Sequence, residues 1–299
     1  MAREFARIEA SYPAIHTERR SLLSPYGKER AVLDEERIFH LFDGFRDIVP
    51  QGSVMASLGD PYRLASLSNC VVVPSPLDSY GGIFRNDQQL AQLFKRRCGV
   101  GFDLSTLRPA GAPVSNAART STGAVSFMER FSNTTREVAQ KGRRGALMLT
   151  MDIRHPDVEQ FITIKQDLTK VTGANVSVRV SDDFLRAVEA DTDFTLQWPV
   201  ESADPEMTQV VKARELWNTL IGCAHRTAEP GIILWDRQHR YSTSSVYPGF
   251  RNESTNPCGE IAMQGGDSCR LMRRPVQLRE GCLHCQGVVR PRSLRGGHL

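Results

Sequence analysis

An α/β fold with crossover helices is predicted by three features of this sequence. Short apolar strand patterns alternate with amphipathic helix patterns from about Ala146 to Ala228, no stretch repeats another, and the 299 residues are 40 % hydrophobic and 24 % charged, the balance of an ordinary globular protein. The longest apolar runs, Val71-Val72-Val73 and Ile232-Ile233-Leu234-Trp235, are far too short to span a bilayer, and Met1-Ala2-Arg3-Glu4 lacks a signal-peptide core. A cytoplasmic protein without membrane attachment is expected.

Taken in order, Arg3 to Ala10 and Asp34 to Ile48 have helical spacing, the second through Ile38, Leu41, Phe42 and Phe45. Gln51-Gly52-Ser53 breaks that pattern, and Leu64 to Val73 reads as a short buried strand carrying Asn69-Cys70, with Cys70 by itself a core thiol. A turn over Pro74 to Gly82 precedes a helix from Gln88 to Arg97, which runs into a glycine turn at Cys98-Gly99-Val100-Gly101. Such a turn lets backbone N–H groups approach a phosphate. Leu107 to Ser121 is a loop rich in small residues, and Gly123 to Val138 is amphipathic through Val125, Met128 and Phe131. The basic loop Lys141-Gly142-Arg143-Arg144-Gly145 suits either an anionic ligand or solvent, and it leads into the strand Ala146 to Met151.

Val158 to Gln166 then reads as helix and Ala174 to Val180 as an alternating strand. Ser181 is an N-cap with Asp182 and Asp183 in the first turn. Phe194 to Trp198 is a strand, and Lys212 to Ala228 is a helix with Leu216, Trp217, Leu220 and Ile221 as its buried stripe. Cys223 and His225 sit two apart on that helix, on different faces, which makes both structural and not a metal pair. Seven cysteines without small-domain spacing suit reduced, metal-bound or redox-active thiols.

The net charge of +4 is local. Residues 273–299 hold six arginines against one acid, Glu280, which leaves 32 basic and 33 acidic side chains in the rest of the chain. Nucleic-acid binding, which needs basic residues clustered on a folded face, therefore loses its support.

Asn256-Pro257-Cys258-Gly259-Glu260 concentrates chemistry. It alternates an amide, a thiol and a carboxyl group, and Pro257 and Gly259 stop a helix from continuing, so a tight turn is expected, either one whose three groups converge on one small ligand or one in which Asn-Pro and Cys-Gly are ordinary loop punctuation. With five other segments in order, namely Gln51-Gly52-Ser53, Ser68-Asn69-Cys70, Arg97 to Asp103, Lys141 to Ala146 and Asn175 to Val178, and with Cys269 following, residues from about Ala2 to Met272 resemble the catalytic chain of ribonucleotide reductase in its adenosylcobalamin-dependent (class II) branch.

The resemblance implies the first half of a ten-stranded α/β barrel with a central finger loop over residues 51–272, preceded by N-terminal helices over 1–50. It implies Cys258 as the thiyl-radical site, Asn256 and Glu260 as the groups that hold and activate the ribose hydroxyls, and Cys70 with Cys269 as the reducing dithiol. Ser53, Asn69, Cys70 and Gly99 become substrate contacts. Asp78 and Arg108 become part of an effector site, and Arg143 and Arg144 part of the loop that relays effector choice. The implied partners are a ribonucleotide, ATP and deoxynucleotide effectors, an external thiol reductant such as thioredoxin, and a second copy of the chain. Adenosylcobalamin is the implied cofactor, with no identifiable site, and no metal ligands are assigned.

Two departures stand beside the match. Cys98 occupies a place where the family has a small residue, commonly glycine. After Met272 the sequence turns Arg-rich and loses apolar periodicity, so residues 273–299 are read as a frameshifted or disordered tail without a packed core. The alternative is a small metal or redox site at Cys282-Leu283-His284-Cys285. The expected consequence is a truncated chain that is inactive alone, with a non-catalytic nucleotide-binding fragment as the alternative function.

Overall fold

The computed structural model describes residues 1–16, 32–45, 47–138, 145–269 and 272–273. The Arg143-Arg144 loop and the Arg-rich segment with its Cys282 and Cys285 lie outside the described residues. Two compact units form, one from Met1–Asn69 with the described part of Arg270–Gly287, the other within Cys70–Cys269. In the first unit, α1 (Ala2–His16) is joined by α2 (Glu35–Phe42), where Asp34 caps the helix by accepting from Arg37 N. A short pair, β1 (Val49–Pro50) with β12 (Met272–Arg273), and α3 (Gly52–Ser57) complete it. No helix among the described residues is long and apolar enough to cross a membrane.

The second unit is built on one six-stranded sheet in the order β11-β2-β3-β4-β5-β8. Its members are β2 (Cys70–Val72), β3 (Gly99–Asp103), β4 (Leu147–Asp152), β5 (Asn175–Val180), β8 (Gly231–Leu234) and β11 (Ser268–Cys269). The first five run parallel and follow chain order, and β11 is antiparallel to β2. Because the order never reverses, right-handed crossovers place the intervening helices on one face only. Those helices are α4 (Tyr80–Phe94), α5 (Met128–Glu137), α6 (Val158–Thr163), α7 (Asp182–Ala190) and α8 (Ala213–Thr227). A hairpin of β6 (Asp193–Trp198) and β7 (Met207–Lys212) stands between α7 and α8. The result is the expected α/β architecture, a partial barrel.

Strand alternation divides the sheet into two chemically different faces. Val100, Phe102, Leu147, Leu149, Met151, Val176, Val178 and Val180 pack against Leu90, Phe94, Phe131, Phe161, Phe184 and Leu220 of the helices, all buried in one core. The other residues of the same strands form rows across the second face. One row reads Val72, Gly101, Met148, Asn175, the next Asp103, Thr150, Ser177, Gly231, and a third Asp152, Arg179, Ile233. Apart from the exposed Asn175, the polar residues of these rows are thus buried on the face that the helices leave open.

Three sequence expectations are corrected. The helix expected from Gln88 begins at Tyr80, because Ser79 caps it by accepting from Gly82 N, and it ends at Phe94. The strand expected from Leu64 is confined to Cys70–Val72, and Leu64 is 79 % exposed. Gly99-Val100-Gly101 is not a turn but the start of β3, all five of whose residues are buried. The Ser181 cap is present, its hydroxyl accepting from Phe184 N at 3.2 Å.

Candidate active site

A short ribbon lies across the polar face of the sheet. Its strands, β9 (Ser254–Thr255) and β10 (Ala262–Met263), pair antiparallel, and Glu253 N donates to Met263 O at 2.9 Å. Between them the chain reverses at the expected place. Asn256 N donates to Ile261 O at 3.1 Å and Gly259 N to Asn256 O at 3.0 Å, with Gly259 at φ +84°, a conformation that side chains rarely adopt. Asn256 is fully buried. Its Oδ1 accepts from Ile261 N at 3.1 Å and its Nδ2 donates to Glu260 Oε2 at 2.6 Å. The amide and the carboxylate are thereby joined across the turn, and Cys258 stands at the exposed apex between them.

Several contacts seat this ribbon on the sheet. A Cβ added to Gly101 would lie 1.9 Å from Thr255 O, so Gly101 is a notch that lets one backbone press against another. Asn175 Nδ2 reaches Pro257 O at 3.5 Å, and Met148 Cε lies beside Gly259. Ser254 Oγ and Thr150 Oγ1 are 2.9 Å apart, and Arg179 donates through NH1 to Glu253 O at 3.0 Å.

Cys70 belongs to the same face. It is the register partner of Gly99 in β3 and packs with Val72, Met263 and Ile261. On its other side the register places it directly opposite Cys269 of the antiparallel β11. Gly99 is therefore positioned beside Cys70 within a strand. Ser53 and Asn69 belong to the first unit, where Ser53 N donates to Asn69 Oδ1 at 3.2 Å and Asn69 Nδ2 to Gln51 Oε1 at 2.9 Å. Asp78 and Arg108 are paired, with Arg108 Nε donating to Asp78 Oδ2 at 2.7 Å and Arg108 N to Asp78 Oδ1 at 3.0 Å.

Beneath the ribbon, buried charges alternate in sign. Burial raises the pKa of Asp103 above the usual carboxylate range, against the opposing effects of Arg179, Ser105 and Thr150. Asp152 is equally buried, but the fork of Arg154, with Nε 2.9 Å from Oδ1 and NH2 2.9 Å from Oδ2, together with Arg179, outweighs desolvation and holds its carboxyl below that range. Cys98 and Cys223 are buried, and His225 is exposed on the helix that carries Cys223. No cluster of three or more His, Cys, Asp or Glu side chains suited to a metal ion occurs among the described residues.

Sequence reasoning found the turn and the cysteines and read Gly101 as part of a phosphate-approaching turn, but assigned no role to Asp103, Thr150 or Arg179. A signal was present in β5, where Asn175, Ser177 and Arg179 alternate with three valines. That pattern is a polar face opposite an apolar one.

Residues 68–273 match the family model described as ribonucleotide reductase, barrel domain. A vitamin B12-dependent ribonucleoside-diphosphate reductase of Thermoplasma acidophilum is 36 % identical over 227 residues, which cover 75 % of this chain and 28 % of that protein. A protein of the same name from Mycobacterium tuberculosis is 36 % identical over 228 residues, 75 % of this chain and 32 % of the relative. The ribonucleoside-diphosphate reductase large subunit of Caenorhabditis elegans is 24 % identical over 220 residues, 65 % of this chain and 28 % of that subunit. The chain thus spans about a third or less of the length of these relatives.

Proposed function

The chain belongs to the ribonucleotide reductase barrel family, and from that premise we propose that it is the thiyl-radical portion of an enzyme that reduces ribonucleotides to 2′-deoxyribonucleotides. The observation that carries the reading is the Asn256–Glu260 hydrogen bond across the turn, which leaves Cys258 at the apex on the sheet face that also bears Cys70 opposite Cys269. The names of the relatives support a ribonucleoside diphosphate as substrate and adenosylcobalamin as cofactor.

The fit to such a cofactor rests on access. Cys258 is exposed while Asn256 is fully buried, so a bulky group can approach the thiol. When bound, the cofactor supplies one-electron chemistry, the removal of a hydrogen atom from a thiol.

The side chains then have separable tasks. A thiyl at Cys258 takes the 3′-hydrogen of the ribose and Glu260 accepts the 3′-OH proton. The buried Asn256 amide fixes Glu260 at 2.6 Å, which orients the base before substrate arrives. The 2′-OH leaves as water after taking a proton from the Cys70/Cys269 dithiol. That dithiol provides the two electrons and becomes a disulfide, and Cys258 returns the hydrogen to C3′. An external thiol reductant restores the pair. Ser53, Asn69 and Gly99 serve the substrate in this reading, Asp78, Arg108, Arg143 and Arg144 serve ATP and deoxynucleotide effectors, and the chain functions as a homodimer.

A hybrid tests the proposal. Residues 68–273 replace the corresponding segment of the Thermoplasma acidophilum relative, and deoxynucleotide formation is measured with adenosylcobalamin and a dithiol. Activity that Cys258→Ala abolishes is expected. A folded hybrid that retains its activity with Cys258→Ala would overturn the assignment.

A further inference from the structure

Arg179 touches both the sheet and the backbone that leads to Cys258. It is 8 % exposed and lies on β5, and its guanidinium faces one carboxylate from the adjacent β4 and one from β3, the strand beyond it. NH2 donates to Asp103 Oδ1 at 3.2 Å and lies 3.5 Å from Asp152 Oδ2. Nε is 3.0 Å from Asp103 Oδ2, an ion-pair contact without hydrogen-bond alignment. The ring of Trp235 lies against the guanidinium, 4.6 Å from its central carbon to the ring centroid. A guanidinium is planar and permanently charged and carries five donors in a fixed fork. Held by these partners, Arg179 offers NH1 in one direction, toward Glu253 O at 3.0 Å.

Asp103 holds a second arm. Thr150 Oγ1 donates to Asp103 Oδ2 at 2.7 Å and lies 2.9 Å from Ser254 Oγ. One buried carboxylate thus organises two groups, Arg179 and Thr150, that grip two consecutive residues of the ribbon just before Asn256 and Cys258. Side-chain tethers of this kind hold a reactive group more closely than the two-residue strands β9 and β10 can alone.

We propose that Arg179 is a positioning residue for Cys258: held by Asp103, it fixes the Glu253 carbonyl and with Thr150 sets the place at which the thiol is presented. What the thiol does there rests on the reductase reading, whereas the tether does not.

The test is hydrogen–deuterium exchange on the full 299-residue chain, comparing residues 252–263 with residues 147–152 of β4. Arg179→Lys keeps the charge and loses the fork. Arg179→Met with Asp103→Asn removes both members of the pair and leaves Asp152 with Arg154. In each folded variant, exchange in 252–263 should rise at least tenfold while 147–152 stays within twofold. Unchanged exchange in 252–263, or an equal rise in both segments, would overturn the proposal. Should neither variant fold, Thr150→Val decides by the same two criteria. In the hybrid enzyme, Arg179→Lys should lower kcat about tenfold with KM within twofold. An inactive hybrid alongside the expected exchange pattern would remove the reductase reading and leave the tether standing.

Discussion

Cys70 and Cys269 are direct register partners across the antiparallel pair of β2 and β11, at the end of the sheet remote from β8. Opposed residues in such a pair have Cα atoms roughly 4.5–5.5 Å apart, within the range of about 4.4–6.8 Å that a disulfide needs. Mild oxidation of the chain should therefore yield a Cys70–Cys269 disulfide and leave Cys258 open to alkylation. Peptide mapping under non-reducing conditions checks this. A disulfide joining Cys258 to Cys70 instead would contradict the division of roles among the three thiols.

Gly101 gives a steric prediction. A methyl group there meets Thr255 O at 1.9 Å, a contact that only movement of the ribbon or of β3 relieves. Gly101→Ala should lower stability by about 1–3 kcal/mol, the usual cost of overpacking, in urea unfolding. Gly52, at the start of α3, has no atom within 4 Å of an added Cβ, and Gly52→Ala should be neutral or slightly stabilising.

His155 gives a pH prediction. It is fully buried, its Nδ1 accepts from Asp157 N at 3.0 Å, and its Nε2–H donates to Leu107 O at 2.9 Å, so the neutral ring satisfies both partners. Burial lowers its pKa, opposed by the Leu107 carbonyl and by Asp157, Asp103 and Asp152. A depressed pKa in the folded state gives stability that is fully present above the ordinary histidine value of about 6.5 and is lost as pH falls toward the folded value. The urea midpoint should drop between about pH 7 and pH 5, and His155→Gln should reduce that slope. Equal slopes would show that the ring does not titrate differently on unfolding.

Asp157 pins the loop that follows β3. Its Oδ1 accepts from Ala110 N at 3.0 Å and its Oδ2 from Ala124 N at 2.8 Å. Asp157→Ala leaves both donors without that acceptor, at roughly 1–3 kcal/mol for each one that stays buried. Limited proteolysis should then cut between Leu107 and Ser121 faster than in the unsubstituted chain. Asp157→Asn, which retains one acceptor oxygen, should fall between the two.

The sequence was most legible where one period dominated. Strands β4 and β5, the helices after them and the Ser181 cap are close to the residues expected, because their apolar positions face a single core. The Asn256 to Glu260 turn was legible for another reason, since proline and glycine limit the backbone locally. β3 was misread because Gly99 and Gly101 suggest a turn when seen alone. The missing side chain of Gly101 instead accommodates a ribbon more than 150 residues later in the chain, a non-local cause that no local pattern carries. The Arg179 tether escaped for the same reason: its partners Asp103, Asp152 and Glu253 come together only once the register is set.

The most direct measurement is the stoichiometry of a single turnover in the hybrid enzyme, with no external reductant present. One Cys70–Cys269 disulfide should form for each deoxynucleotide released, with Cys258 still alkylatable afterwards and no product from Cys258→Ala. Deoxynucleotide formed without that disulfide, or formed by the Cys258→Ala hybrid, would contradict the account.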